Sequence, residues 1–241
     1  MKITIITGPF LPVPPAPCGA VERVWHELAG EFAARGHDVT VLCRSHQDQQ
    51  PNETIHAIRF IRRTQFKRSR RLWWDLARDL VYSCRMLPLV PPSDVVVTNS
   101  FWLPILLPML CRRAGKTVVN VARVPKGQIA WYRRVDRLAA VSNAIRQEIA
   151  LQCPDAVPMT KVIANPIDTG IFFRQSGDFL HTNHSLFSMP GESILKRDWI
   201  FSSGVSDDCM TTAKMWSFAF WDLLLWIRAA EVSSTWQASN S

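Results

Sequence analysis

The 241-residue sequence lacks several patterns that would assign its chemistry directly. The loop after the first predicted strand does not read Gly-x-Gly-x-x-Gly, which excludes a dinucleotide-binding fingerprint. The six cysteines include no Cys-x-x-Cys pair, so they indicate reduced thiols rather than a zinc site or a disulfide framework. No carboxylate or His/Cys cluster has ligand spacing, and no metal is therefore predicted.

Long apolar runs are missing as well, and no leader segment is expected. No uninterrupted run of about 18 apolar residues occurs, so a membrane-spanning helix is not expected. Met1-Lys2 leads directly into a short strand and then into prolines, which excludes a signal peptide pattern. Together with the reduced thiols, these absences predict a cytoplasmic protein.

Charge is distributed unevenly along the chain. Residues 1–173 hold 23 Lys and Arg against 13 Asp and Glu, a net charge of +10, whereas residues 174–241 hold 5 against 7, a net charge of −2. A basic first part favours anionic partners, namely nucleotide diphosphates, anionic lipid or nucleic acid.

The first 43 residues predict a strand, a proline-rich loop, a helix and a second strand. Four consecutive β-branched residues, Ile3 to Ile6, are typical of a strand that is buried on both faces of a parallel sheet. The helix begins at Gly19-Ala20 and ends at Gly36, with Glu22 assigned to a face away from the apolar stripe. This βαβ unit predicts an α/β fold with a doubly wound, open parallel sheet. The stripe consists of Val21, Val24, Trp25, Leu28 and Phe32.

The start of that helix is a candidate binding position. A helix N-terminus presents unpaired N–H groups and a positive dipole end, and a glycine there lets a hydroxyl, phosphate or carboxylate approach the backbone. Gly19 and Ala20 are the candidate residues, while Glu22 is interpreted as a partner of the helix dipole. The alternative is a glycine that serves only a tight turn.

Further elements continue the alternation of strands and helices. Strands are predicted at residues 56–61, 94–98, 116–122 and 136–141, with a polar loop before the first of them. Helices are predicted from Trp73, over 102–111, and after Ser142, which is expected to cap the last one.

The segment from Arg59 to Trp74 combines many arginines with paired tryptophans and has no acid from residue 57 to 74. Such a segment suits an anionic membrane surface, where basic side chains meet headgroups and indoles lie at the interface. The alternative is a solvated basic loop whose tryptophans pack on the sheet. Nucleic-acid binding ranks third, because no recognised binding motif accompanies the charge.

Several motifs, taken together in order, resemble a known family. They are Cys18-Gly-Ala-Val-Glu22, Ala34-Arg-Gly-His-Asp-Val-Thr-Val41, Arg123-Val-Pro-Lys126-Gly-Gln128, and Lys161-Val-Ile-Ala-Asn-Pro-Ile-Asp168 followed by Phe172. This series is similar to the N-terminal domain of family-four retaining glycosyltransferases of the GT-B fold. The resemblance covers residues 1–173.

The resemblance implies transfer of a sugar from a nucleotide-activated donor to a glycan or lipid acceptor, with no cofactor beyond the donor as substrate. It implies that residues 1–173 form a Rossmann-like, acceptor-side domain. The substrate-binding candidates are Gly19, Ala20, Asn99, Arg123 and Lys126, and the domain end and hinge are marked by Asn165 and Asp168. A polar loop without a site is the alternative for Arg123 and Lys126. The family's usual histidine is missing, since none occurs between residues 57 and 180.

Residues 174–241 show no alternation of strands and helices and predict an irregular tail. A GT-B enzyme has a second Rossmann-like domain, often with two glutamates eight positions apart, and neither is recognisable here. We interpret the chain as a first half followed by an unrelated tail, from a truncated gene or a shifted reading frame. A partner chain would then supply the missing domain. The alternative function is a non-catalytic half-protein that binds an acceptor or a membrane surface.

Overall fold

A computed structural model describes residues 1–15, 19–46, 49–64 and 69–166 of the chain. Within these ranges the chain forms one eight-stranded sheet with four α-helices. The prediction of an α/β fold with a doubly wound, open and mostly parallel sheet is confirmed. The predicted tail, 174–241, and the hinge residue Asp168 lie outside the described residues.

The strands follow the spatial order β3-β4-β2-β1-β5-β6-β7-β8, and every neighbouring pair is parallel except β3 with β4. The bounds are β1 Lys2–Ile6, β2 Asp38–Arg44, β3 Asn52–Ile55, β4 Ile58–Arg63, β5 Val95–Thr98, β6 Lys116–Val121, β7 Arg137–Ala140 and β8 Thr160–Val162.

The helices lie between the strands in the chain. Their bounds are α1 Ala20–Ala34, α2 Leu72–Met86, α3 Leu103–Leu110 and α4 Asn143–Gln152. Ser142 caps α4 as expected, because its hydroxyl accepts the backbone N–H of Ile145 at 3.3 Å. Among the described residues, no helix is long and apolar enough to cross a membrane.

Successive residues of the central strands pack against different helices. Ile3 and Ile5 of β1 pack with Trp25, Leu28 and Phe32 of α1 in one cluster. Ile6 belongs to a second cluster, formed with side chains of α2 and α3. A third cluster joins β6 and β7 to α4. Because side chains alternate along a strand, both faces of the sheet are covered, which explains the continuous apolar runs in the sequence.

The chain reverses its direction of travel across the sheet between β1 and β5. It first builds β2 and β4 on one side of β1, and then crosses to the other side to build β5 to β8. In open α/β sheets this reversal leaves a crevice at the carboxyl ends of the two central strands, where ligands bind. The residues that follow β1 and β5 therefore define the place to look for a site.

The residues before β4 do not form the predicted polar loop. Residues 52–55 form β3, which pairs antiparallel with β4 at the sheet edge, and a turn with positive φ at His56 and Ala57 joins the two. Arg62 of β4 is 1% exposed, and its guanidinium binds the Glu53 carboxylate of β3 at 2.5 Å. This ion pair and the ladder hydrogen bonds stabilise a strand that the apolar pattern does not show.

The tryptophans at the start of α2 do not pack on the sheet. Trp73 is 82% exposed and Trp74 is 58% exposed, so the interpretation of sheet-packed tryptophans is wrong. The arginines of the same segment also separate. Arg62 is buried, and Arg59 lies 3.9 Å from Asp38, whose strand begins at the amino edge of the sheet. The exposed aromatic and basic surface is therefore that of α2 and of the residues just before it.

Candidate functional site

The carboxyl ends of β1 and β5 meet at the point where the chain reverses direction. A Cβ atom built on Gly8 would lie 3.9 Å from Asn99 Oδ1, so the loops after the two strands are in van der Waals range. Thr7 precedes Gly8, and its carbonyl accepts the Tyr82 hydroxyl at 2.8 Å. The crevice is therefore lined by backbone at Gly8 and by the amide side chain of Asn99.

Two buried oxygens at this crevice lack partners. Neither Thr7 Oγ1 nor Asn99 Oδ1 has a hydrogen-bond partner among the described residues. A buried, unsatisfied oxygen costs about 1–3 kcal/mol, and native structures contain few of them outside sites for water or ligand. The sequence predicted Asn99 as a hydrogen-bonding residue, whereas Thr7 and Gly8 were read only as the end of a strand.

The N-terminus of α1 lies beside a buried carboxylate. Gly19 has φ +140°, and a Cβ atom there would lie 3.0 Å from Glu22 Oε2. Glu22 is buried, although the sequence pattern assigned it to a face away from the apolar stripe. It points back over the first turn rather than into solvent, and Gly19 leaves the space that it occupies. Ala20 is the first residue of α1 and is exposed.

The loop after β6 carries a positive charge that acts on this carboxylate. Burial raises the pKa of Glu22, while its own backbone N–H and the Arg123 guanidinium act in the opposite direction. The structure thus brings Gly19 and Glu22 together, and the charge of Arg123 from another segment acts on the same carboxylate. Glu22 was not predicted as a site residue. Glu22 lies three residues before Trp25 and seven before Ala29, which places it on the same side of α1 as these two buried residues. That spacing was the signal from which its burial could have been predicted.

Lys126 lies in the same loop as Arg123, and both side chains are exposed. The loop is held from α4, because the Gln152 side chain accepts Gly127 N–H at 2.9 Å and donates to Pro125 O at 2.7 Å. Asn165 is exposed and follows the last strand. Within the described part of the chain, no hydrogen bond or ion pair joins Lys126 or Asn165 to the crevice residues.

An aromatic group stands between the loops that follow β5 and β6. The rings of Phe101 and Trp131 meet edge to face at 5.7 Å, and Trp102 and Trp131 are stacked at 6.5 Å. Tyr132 donates from its hydroxyl to Phe101 O at 3.1 Å. These contacts fix the positions of the two loops relative to each other.

Two concavities lie at the opposite, amino edge of the sheet. One of about 130 Å³ includes Lys2, Asp38 and Arg59, and one of about 630 Å³ includes Arg112 and Arg113. Neither contains a site residue that the sequence predicted. Because ligands of open α/β sheets bind at the carboxyl ends of the strands, we place the candidate site at the crevice instead.

The comparison with solved structures identifies the architecture. Sucrose-phosphate synthase from Thermosynechococcus elongatus matches over 70% of this chain and 49% of that chain, with 15% identity and a TM-score of 0.52. The catalytic domain of starch synthase IV from Arabidopsis thaliana matches over 70% of this chain and 52% of that chain, with 10% identity and a TM-score of 0.54. The chain spans about half the length of these two structures. At such identities the similarity establishes the fold.

The comparison with curated protein sequences gives no match. The model of Glycosyltransferase Family 4 matches residues 21–170, which is more than half of the chain. That range contains α1 from Val21 onward, the crevice residue Asn99 and the loop with Arg123. The chain therefore belongs to Glycosyltransferase Family 4, and its described residues have the Rossmann-like architecture of one half of the GT-B fold.

Proposed function

We propose that this chain forms the acceptor side of a glycosyltransferase that moves a sugar from a nucleotide-activated donor to a glycan or lipid acceptor. The observation that carries the proposal is the crevice between β1 and β5, within a chain that belongs to a glycosyltransferase family. Its two unpartnered oxygens, Thr7 Oγ1 and Asn99 Oδ1, are acceptors for hydroxyl donors. A sugar hydroxyl has that chemistry.

The cations of the loop after β6 suit the charges of such a reaction. In a retaining transfer, which we propose here, positive charge builds on the sugar and negative charge builds on the departing diphosphate. Gly19 and Ala20 offer backbone N–H groups at the start of α1, and Arg123 offers a guanidinium whose charge acts on Glu22 of the same helix. Lys126 is proposed to bind the anionic part of the donor or the acceptor.

The donor is proposed to be a nucleoside diphosphate sugar. The starch synthase structure that shares this fold is described as bound to ADP and acarbose, and the basic charge of residues 1–173 is complementary to a diphosphate. A second Rossmann-like half, supplied by a partner chain, is proposed to complete the donor site. We place the protein in the cytoplasm, at the inner face of the membrane.

Donor turnover by the full 241-residue chain tests the proposal. The chain is incubated with a panel of nucleotide sugars, and released nucleotide is measured with and without glycan and lipid acceptors. We expect Asn99→Ala to reduce acceptor-dependent release at least about tenfold, because a hydrogen bond to substrate is lost. Asn143→Ala, which makes the same change at an exposed position of α4, is the matched control. Equal rates for the two variants would contradict the role of Asn99.

A second candidate function is binding without catalysis, which the exposed aromatic residues at the start of α2 favour. In that case a chain that is folded by circular dichroism releases no nucleotide across the panel, yet still binds acceptor or vesicles. Binding to DNA but not to anionic vesicles, with a steep dependence on salt, would instead favour a nucleic-acid partner.

A further inference from the structure

The solvent face of α2 is apolar along its whole length. Every exposed residue of this helix except Arg85 is apolar, and none is acidic. A helix on the surface of a globular protein normally turns its charged residues outward. These residues, which we call the α2 outer face, are Leu72, Trp73, Trp74, Ala77, Leu80, Val81, Cys84 and Arg85.

The spacing shows that this face is one continuous stripe. Trp73, Ala77, Leu80 and Cys84 stand at i, i+4, i+7 and i+11, which places them on one side of the helix. The opposite side is used for packing, where Tyr82 and Met86 enter the core cluster beneath the helix. The helix therefore has one apolar side packed on the sheet and another directed to solvent.

Arginines lie at both ends of the stripe. Arg70 and Arg71 are exposed just before the helix, and Arg85 is exposed in its last turn. The two acids of the helix are elsewhere: Asp79 is buried, and Asp75 is half-buried and accepts Ser69 N–H at 2.7 Å. Arg78, in the middle of the helix, is 31% exposed at its side chain and lies 3.9 Å from Asp75. The surface is thus mainly apolar in the middle and cationic at its two ends.

We propose that the α2 outer face lies on an anionic lipid surface, with the helix axis parallel to the bilayer. Indole rings favour the headgroup boundary, and arginines at the margin meet anionic headgroups. The helix is about 22 Å long at 1.5 Å per residue, which suits lying in the interface rather than spanning it. This inference goes beyond the proposed reaction and does not depend on it.

A second copy of the chain is a poorer occupant of this face. In a two-fold pairing of antiparallel α2 helices, Arg70 and Arg71 of one protomer would approach Arg85 of the other. Such like-charge contacts disfavour association, whereas the same three cations are all attracted to one anionic plane.

Vesicle flotation of the full chain tests the inference without any sugar donor. The vesicles are phosphatidylcholine alone, or phosphatidylcholine with about one-third phosphatidylglycerol, so that only the lipid charge differs. We expect binding to the anionic vesicles, and a loss of about 20- to 30-fold for Arg70→Gln with Arg71→Gln, since each cation contributes about fivefold. Trp73→Glu with Leu80→Glu is expected to abolish binding.

The matched control is Leu151→Glu, which places the same charge at a side chain of α4 that is 78% exposed. It is expected to bind vesicles like the unmodified chain. A folded, unmodified chain that binds no anionic vesicles, or binds neutral ones equally, would overturn the inference. A concentration-dependent dimer that Trp73→Glu dissociates would overturn it in favour of a second copy.

Cysteine alkylation measures directly whether the α2 outer face becomes covered when the chain binds vesicles. Cys84 is exposed on the α2 outer face, whereas Cys153 follows α4. With maleimide and peptide mass spectrometry, anionic vesicles are expected to slow the labelling of Cys84 at least about tenfold and to leave Cys153 unchanged, because only the first becomes covered. Equal protection of both, or of neither, would contradict the proposed orientation.

Discussion

The hydroxyl oxygen of Ser100 lies 3.1 Å from both carboxylate oxygens of Asp79, which joins the middle of α2 to the loop after β5. The same carboxylate accepts the backbone N–H groups of Phe101 at 3.0 Å and Trp102 at 3.1 Å. Asp79 thus satisfies donors at the start of α3 from another helix. It also fixes the loop that begins with Asn99.

Removing this carboxylate is expected to destabilise the fold. Asp79→Ala leaves two backbone N–H groups without their acceptor, and we expect the free energy of unfolding to fall by about 2–4 kcal/mol. Urea unfolding followed by circular dichroism measures the change. Asp155→Ala, which alters an exposed aspartate, is the control and is expected to have little effect.

The same carboxylate predicts a dependence of stability on pH. Burial raises the pKa of Asp79 above its ordinary value of 3.8, although the hydrogen bonds from Trp102, Ser100 and Phe101 act against the shift. Between that value and the folded-state pKa, the folded protein binds more protons at this site than the unfolded one. The contribution of Asp79 to the free energy of unfolding is therefore fully present below pH 3.8, and it declines as the pH rises through the folded-state pKa.

Asp79→Asn should remove this component from the pH profile of the unfolding free energy, because asparagine does not titrate. Asp155→Asn should keep it. The comparison uses urea titrations at closely spaced pH values from the acid side upward. If the unfolding free energies of Asp79→Asn and of the unmodified chain change with pH in parallel, Asp79 does not titrate as described.

Gly19 and Gly30 are predicted to respond in opposite ways to the same substitution. Gly19→Ala forces an L side chain to φ +140° and places its Cβ 3.0 Å from Glu22 Oε2, so a loss of about 1–3 kcal/mol in unfolding free energy is expected. Gly30 lies inside α1, and an added Cβ there would have nothing within 4 Å. Gly30→Ala should therefore raise the free energy of unfolding by about 0.5–1 kcal/mol. Thermal unfolding of both variants measures the contrast, and a destabilised Gly30→Ala would refute it.

Arg123 is predicted to control the titration of Glu22. Its charge lowers a pKa that burial raises, so Arg123→Gln should raise the pKa of Glu22 further. Carbon-detected NMR of the Glu22 carboxyl over a pH series measures the shift directly. Lys126→Gln is the matched control, since Arg123 but not Lys126 acts on this carboxylate, and an equal shift in both variants would contradict the arrangement.

Removing either partner of the Arg62–Glu53 ion pair is expected to lower the free energy of unfolding, but by unequal amounts. Glu53→Ala removes the carboxylate partner of the Arg62 guanidinium, which is buried at 1% exposure. We expect the free energy of unfolding to fall by about 3 kcal/mol. Arg62→Met removes the guanidinium that lies 4.6 Å over the Phe60 ring, but it leaves only a half-buried acid unpaired, so a smaller loss of unfolding free energy of about 1–2 kcal/mol is expected. Urea unfolding of both variants tests the order, and a larger loss for Arg62→Met would reverse this reasoning.

The central strands were predictable because their sequence pattern has a single physical cause. Val95 to Val97 and Ile3 to Ile6 are buried on both faces, and runs of β-branched residues suit that environment. The helix bounds followed from Gly36 and Ser142, which end and begin helices through local hydrogen bonds.

The elements that were missed depend on contacts that are distant in the sequence. β3 is polar, and it is a strand because β4 pairs with it at the edge. Glu22 is buried in space that Gly19 leaves open, and Arg123 acts on its charge from another loop; the helix pattern of Glu22 records neither fact. Asn99 was predictable from its place after a strand, but its neighbour Gly8 became visible only once β1 and β5 were adjacent.

The side-chain amide of Gln152 gives and receives one hydrogen bond each to the loop after β6, as the backbone of an adjacent strand would. The loop that bears Lys126 therefore takes its position from the end of α4. Replacing Gln152 by glutamate, which has no amide donor, would release Pro125 O while keeping an acceptor for Gly127. One neutral side chain at the end of α4 thus helps to set where the positive charge of Lys126 stands, so the placement of a charge in this loop is shared with a residue that carries none.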